Sequence, residues 1–237
     1  NKAIVVAFDI KSRQKMNKLI KIKDKNFFTY FVCDACNEKK LKKINNFIKK
    51  KYKKIDVLIN NAEINPPFKK KGVNNYKDIF NISEKEITES YKVSILGMFL
   101  GCKHISKIMI KKKRGSIINI ASDLSVIAPD HRLYNKDDTF DFTKPIYYSI
   151  NKHAVVGLTK YLATYLCKFN IRVNAISPGS VDNEQGKEFK NKIKKLIPLN
   201  RMASKNEFSS SIIFLSSDTS SYMTGHNLII DGGRSTW

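Results

Sequence analysis

Tyr148 and Lys152 stand four positions apart in the stretch "YYSINK" (147–152), at the head of a run with helical spacing through "HAVVGLTKYLATYL". Residues i and i+4 share one face of a helix, so Lys152 faces Tyr148, while Tyr147, five positions away, points aside. A free phenol has a pKa of about 10, and using it as a base near pH 7 costs about 4 kcal/mol unless its anion is stabilised. A neighbouring ammonium supplies that stabilisation. Ser122 closes the apolar run "SIINIAS" and could hold a substrate oxygen beside the phenol. Asp9 closes another apolar run, "KAIVVAFDI". At the end of a strand in a dinucleotide-binding sheet, a carboxylate accepts hydrogen bonds from the adenosine ribose and repels a 2′-phosphate, which favours NAD over NADP.

The elements that must position these residues alternate along the chain. Residues 2–9 read as a strand buried on both faces. A basic helical segment follows, then a strand in "NFFTYFVCD", a helix over 37–53, and a strand in "IDVLINNA". A loop with Pro66, Pro67 and Gly72 leads to a long helix over 84–113. Next come the strand ending at Ser122, a polar segment from Asp123 to Pro145, and the Tyr148 helix to about Phe169. "NIRVNAISPG" is a strand, 180–206 is polar and lysine-rich like a mobile lid, and a short helix and the strand "NLIIDGG" close the chain. This alternation predicts one α/β domain over 1–237, a doubly wound, mostly parallel sheet covered on both faces. Ligands of such sheets bind outside the carboxyl ends of the strands, which selects Asp9, Asp34, Asn60 to Ala62, Ser122 and Pro178 to Val181 together.

Hydrophobic content of 42% with interspersed charge predicts a globular chain. The sequence lacks an apolar run approaching the roughly 18 residues that span a bilayer, and it is read as cytoplasmic, with no membrane partner. The formal charge of +23 is nearly all lysine. Lysines in "EKKLKKINNFIKKKYKKID" follow helical spacing around Leu41, Ile44 and Ile48, as on the solvated side of an amphipathic helix, so no nucleic-acid partner is inferred. Cys33 and Cys36 form a C-x-x-C without a second ligand pair at matching spacing, so no metal site is expected, and Cys33 is read as a buried thiol.

Five motifs occur in order: "NNA" at 60–62, "GSIINIAS" at 115–122, "YYSINKHAVVGLTKYLA" at 147–163, "IRVNAISPGSV" at 171–181 and "MTGHNLIIDGG" at 223–233. Together they resemble the short-chain dehydrogenase/reductase family over essentially the whole chain. The resemblance implies that Tyr148 is the general acid/base and that Lys152 lowers its pKa and binds the nicotinamide ribose. Ser122 would orient the substrate hydroxyl or carbonyl. Asp9, Asp34, Ala35, Asn60, Ala62, Tyr148, Lys152 and the backbone around Val181 would contact NAD. It also implies a homodimer or homotetramer packed through the helices over 84–113 and 147–169. The wording of "IASDLSVIAPDHRLY" and "DGGRSTW" resembles a subgroup associated with flagellin and surface-glycan (nonulosonic acid) modification.

The sequence departs from the family pattern in four places. The glycine-rich loop that should precede the Asp9 strand is absent, the first glycine being Gly72, so a first β-loop-α unit of about 25 to 30 residues is expected to be missing. Glu63 replaces the glycine that completes "NNAG". Ser94 stands where the family has an asparagine whose main chain helps hold a water in a proton relay. The segment between Ser122 and Tyr148 is about twice the usual length and carries Asp130, His131, Arg132 and Tyr134, which implies a polar, hydroxyl-rich or charged substrate. These features predict an NAD-dependent oxidoreductase acting on a secondary alcohol or ketone, with a sugar as one substrate class. The alternative is a non-catalytic member that keeps the fold as a binding or regulatory subunit.

Overall fold

The computed structural model describes residues 3–19, 25–65, 78–134, 143–183 and 185–237. Among them, every strand pairs in parallel. β1 (Val5–Asp9) pairs with β2 (Phe28–Val32), from Val5 opposite Phe28 to Asp9 opposite Val32. The remaining strands form a second sheet in the order β3 (Val57–Asn60), β4 (Gly115–Ile120), β5 (Ile171–Pro178) and β6 (Asn227–Ile230). Parallel pairing puts all carboxyl ends of a sheet at one edge, and the connections are helices: α1 (Arg13–Leu19), α2 (Glu38–Tyr52), α3 (Glu84–Tyr91) with α4 (Met98–Lys112), and α5 (Ile146–Leu166).

The α2 helix starts where the Asn37 side chain accepts the Lys40 N–H, and it stops at Lys53, whose φ of 62° is left-handed. It buries Leu41, Ile44 and Ile48 beside Leu100 and Ile108 of α4, so these two helices tie the β1–β2 pair to the larger sheet. Cys33 lies in the same cluster, and burial pushes its thiol above the usual range. The α3 helix begins with a reciprocal cap between Ser83 and Glu86. The second core lies between α4, α5 and the larger sheet, around Met109, Ile117, Leu162, Leu166 and Val173.

Four expectations are corrected. The first strand is only half buried, with Val5 and the neighbouring Ile4 and Ile10 exposed, because its described ladder runs on one side only. The helix expected over 84–113 is interrupted by a π-helical turn, Lys92–Gly97, the wider winding that often marks functional positions. That whole helical stretch, Glu84–Lys112, is also long and apolar enough to cross a membrane by length and composition, although the sequence reading expected no such segment. Its apolarity is an average over interspersed polar residues, and its buried positions, including Leu100, Ile108 and Met109, face the protein core. Finally, 180–206 is not a bare polar lid. It contains the amphipathic α6 (Lys187–Lys194), and Ile193, Ile197 and Met202 are buried against Leu133 and Tyr134. The last helix, α7 (Ser209–Ser216), packs Leu215 against Ile118 and Ile176. The expected loop at Pro66, Pro67 and Gly72 lies outside the described residues.

Candidate active site

Ser122 follows the end of β4, in extended backbone, and its oxygen accepts the Leu124 N–H at 3.2 Å, starting a 3-10 turn over Asp123–Ser125. Its hydroxyl donates to Asp123 Oδ1 at 2.8 Å. A carboxylate can only accept, so Asp123 holds the serine hydrogen, which a rotation about the Cβ–Oγ bond would turn toward a bound oxygen. The other Asp123 oxygen meets Arg234 Nη1 at 2.7 Å, and both side chains are buried. The C-terminal tail thus anchors the turn that aims Ser122.

The α5 helix packs against this turn and presents Tyr148 and Lys152. Lys152 is 4% exposed; its ammonium donates to the Ile120 carbonyl at 3.1 Å and lies 2.7 Å from Glu63 Oε2. It also lies 5.3 Å from the centroid of the Tyr148 ring. Tyr147 points elsewhere, as its spacing predicts. It is buried, and burial together with Glu86 pushes its phenol up. Asn151, one position before Lys152, ties α5 to α3 through Ser90 Oγ at 2.8 Å.

A second lysine belongs to this group. Lys144 precedes α5 by two residues, is 8% exposed, stands 3.9 Å over the Tyr148 ring, and donates to Asn65 Oδ1 at 2.7 Å. Burial lowers its pKa to about 8, against the opposing pull of Asp123 and Glu63. Sequence reasoning stopped at the i+4 partner of Tyr148. Lys144 lies ahead of the helix, beyond the reach of the i+4 rule, so its place over the ring follows from the turn into α5 rather than from the spacing.

The other predicted residues fall at the strand ends. Asn60 ends β3 opposite Asn119 of β4, and its amide nitrogen is spent on Asn119 Oδ1 at 2.8 Å and Cys102 Sγ at 3.2 Å. Asn119 in turn donates to Thr159 Oγ1 at 2.9 Å, so the Asn60 amide nitrogen helps pin the sheet to the helices. Ala62, two residues on, is exposed, and Val181 bridges to Ala203 just past β5. Asp9 and Asp34 sit at the ends of β1 and β2, where Asp9 Oδ1 accepts the Lys11 N–H at 2.9 Å and Asp34 Oδ1 accepts the Cys36 N–H at 2.8 Å. Ala35 is packed so closely on Gly97 that a Cβ at Gly97 would lie 3.0 Å from the Ala35 Cβ, which joins this edge to the π-helical turn.

The described part of the long segment after Ser122 uses several of its polar groups within the protein. Asp130 and Arg132 pair with each other, Arg132 Nη2 lying 2.8 Å from Asp130 Oδ2, and that contact holds the Asp130 carboxyl below its usual range. Tyr134 is buried beside Phe189 of α6. Residues 135–142, with the further acids of the segment, lie outside the described residues.

The family described as Enoyl-(Acyl carrier protein) reductase matches residues 1–235. An NAD-dependent glycerol dehydrogenase from Listeria innocua is 35% identical over 205 residues, covering 84% of this chain and 72% of the relative. Zerumbone synthase from Zingiber zerumbet is 31% identical over 223 residues, covering 87% and 75%. A crystal structure of a short chain dehydrogenase from Leptospira borgpetersenii with bound NAD+ superposes with a TM-score of 0.85 at 30% identity, covering 98% of this chain and 83% of that one.

Proposed function

The chain belongs to the short-chain dehydrogenase/reductase family and is an oxidoreductase; from that premise we propose that it moves a hydride between NAD(H) and a secondary alcohol or ketone carried on a sugar or sugar-derived molecule. The observation that carries the reading is the convergence of Ser122, Tyr148 and two buried lysines at the carboxyl end of β4. The residues fit the two ends of a dinucleotide. Asp9 keeps a carboxylate oxygen beyond its bond to Lys11, suited to the adenosine ribose, and Lys152 keeps one N–H beyond Ile120 and Glu63, suited to the nicotinamide ribose. Asp34, Ala35, Ala62 and the backbones of Asn60 and Val181 would line the space between. The nicotinamide supplies hydride acceptance or donation when bound.

The protein's own part is the proton. Tyr148 takes the alcohol proton in oxidation and returns it in reduction, while Lys144 and Lys152 favour its anion in a site shielded from water. Ser122, once its hydrogen turns from Asp123 to the substrate oxygen, donates to that oxygen and fixes the carbon that gives up hydride, leaving the alcohol proton to Tyr148. The exposed aromatic face of α5, where Tyr161 and Tyr165 stack with ring centroids 6.4 Å apart, supports a homo-oligomer packed through this helix. The reading also keeps the protein in the cytoplasm.

The test is Tyr148→Phe in the intact protein. Turnover of NAD with a secondary alcohol such as glycerol should vanish while NADH still binds, read by its fluorescence. Undiminished turnover in the variant would remove Tyr148 from the chemistry.

A further inference from the structure

Glu63 and Ser94, two of the departures from the family pattern, touch each other. The Ser94 hydroxyl donates to Glu63 Oε1, which also accepts the Ile64 N–H at 3.1 Å. Glu63 Oε2 lies 2.7 Å from the Lys152 ammonium. The two residues come from separate elements, the loop after β3 and the π-helical turn, and Ser94 is fully buried. The Glu63 side chain is 14% exposed and that of Lys152 4%, so their charges interact with little screening by water. With Glu63 on one side and the Ile120 carbonyl on another, two of the three Lys152 hydrogens are assigned, and the direction of the third follows.

We propose that Glu63, fixed by Ser94, is a positioning residue that sets the aim and the effective charge of Lys152, and through it the proton affinity of Tyr148. This rests on the reading of Tyr148 as the acid/base group. Other charges face the same ring: Lys144 at 3.9 Å and, behind it, Asp123 paired with Arg234. Glu86 acts on the neighbouring phenol of Tyr147. Within this set Glu63 is the carboxylate bound directly to Lys152. It offsets part of the ammonium's effect, so the phenol keeps its proton to a higher pH than Lys152 alone would dictate. Serine at 94 is short enough to meet the carboxylate from the π-helical turn, which makes the two departures one device.

The test reads Tyr148 directly and needs no substrate. Its ionisation is followed by ultraviolet difference absorbance of phenolate, with the matching Tyr148→Phe protein subtracted in each background. Glu63→Gln keeps the shape and removes the charge, and the Tyr148 midpoint should fall by about 0.5 to 1 pH unit. Glu63→Asp, which keeps the charge, should fall less. Ser94→Ala should lower the midpoint in the native background and change nothing further in Glu63→Gln, because both act through one carboxylate. A midpoint unmoved in Glu63→Gln, or shifts from Ser94→Ala and Glu63→Gln that simply add, would overturn the assignment. A shifted midpoint in a protein that oxidises no alcohol supports the assignment and counts against the oxidoreductase reading instead.

Discussion

The Lys144 ammonium stands 3.9 Å above the Tyr148 ring, buried two residues ahead of the helix that carries the tyrosine. A buried ammonium whose pKa is lowered to about 8 costs stability wherever it is charged. The unfolded chain binds the proton up to about pH 10.5 and the folded chain only up to about 8, so the cost is complete below pH 8 and is relieved as pH rises from 8 toward 10.5. Lys144→Met should therefore raise the stability at pH 7 by on the order of 2 kcal/mol after the lost bond to Asn65 is allowed for, and the melting temperature with it, with the gain fading by pH 10. The same change should lower alcohol turnover at neutral pH, because the Tyr148 anion loses one of its two cations. Melting curves at pH 7 and pH 10 decide it; a variant less stable than the native protein at both would contradict the account.

The buried pair Asp123–Arg234 connects the last turn of the chain to Ser122. Arg234→Met leaves the Asp123 carboxylate desolvated without its cation, which should cost about 3 kcal/mol and lower turnover by loosening the turn that aims Ser122. Replacing both, as Asp123→Leu with Arg234→Met, should recover most of the stability but not the turnover. Thermal unfolding of the single and double variants checks this; a double variant as unstable as the single would show that the pair is not the cause.

Much of this arrangement was legible in the sequence because it follows from short-range rules. The apolar runs ending at Asp9, Asn60 and Ile120 are strands, and the i, i+4 spacing correctly separated Tyr148 from Tyr147. What escaped depends on contacts between distant segments. Glu63 and Ser94 read as two unrelated losses because 31 positions separate them, and only the fold brings them to one lysine. The segment 180–206 looked like a solvated lid because lysines are interspersed among its apolar residues; Ile193, Ile197 and Met202 count only once Leu133 and Tyr134 are beneath them. Side-chain roles were also harder to see than positions. Asn60 sits at the strand end as expected, yet its amide is used inside the protein.

Gly179 closes β5 against the β6 end, and a Cβ there would lie 2.6 Å from the Asp231 Cα. That contact is with backbone, which cannot rotate away. Asp231 in turn accepts the Gly233 N–H at 2.9 Å and the Ser235 N–H at 2.7 Å, so displacing it disturbs the tail that presents Arg234. Gly179→Ala should destabilise the protein by about 1 to 3 kcal/mol. It should also weaken dinucleotide binding through the shifted Val181 backbone. Unfolding in urea and NADH titration measure the two effects, and a variant indistinguishable from native in both would refute the tight fit.

The proposed preference for NAD over NADP rests on Asp9. It ends β1, is half buried, and has one carboxylate oxygen tied to the Lys11 N–H, so its charge is held in place rather than free to swing away. Two ribose hydroxyls can donate to the remaining oxygen, whereas a 2′-phosphate brought to about 4 Å would meet a repulsion of up to about 4 kcal/mol at the dielectric of a protein surface. The basic side chains nearby, Lys11 among them, would attract that phosphate once the carboxylate is gone. Asp9→Ser should therefore lower kcat/KM with NAD and raise it with NADP, shifting their ratio by about 10- to 100-fold toward NADP, within the limit set by that repulsion. The shift should shrink as salt is added, since the site lies at the sheet edge and is screened over about 10 Å at 0.1 M. Steady-state rates with both dinucleotides at two salt concentrations measure it. A native protein that uses NADP as well as NAD, or a variant with an unchanged ratio, would mean that Asp9 does not select the cofactor.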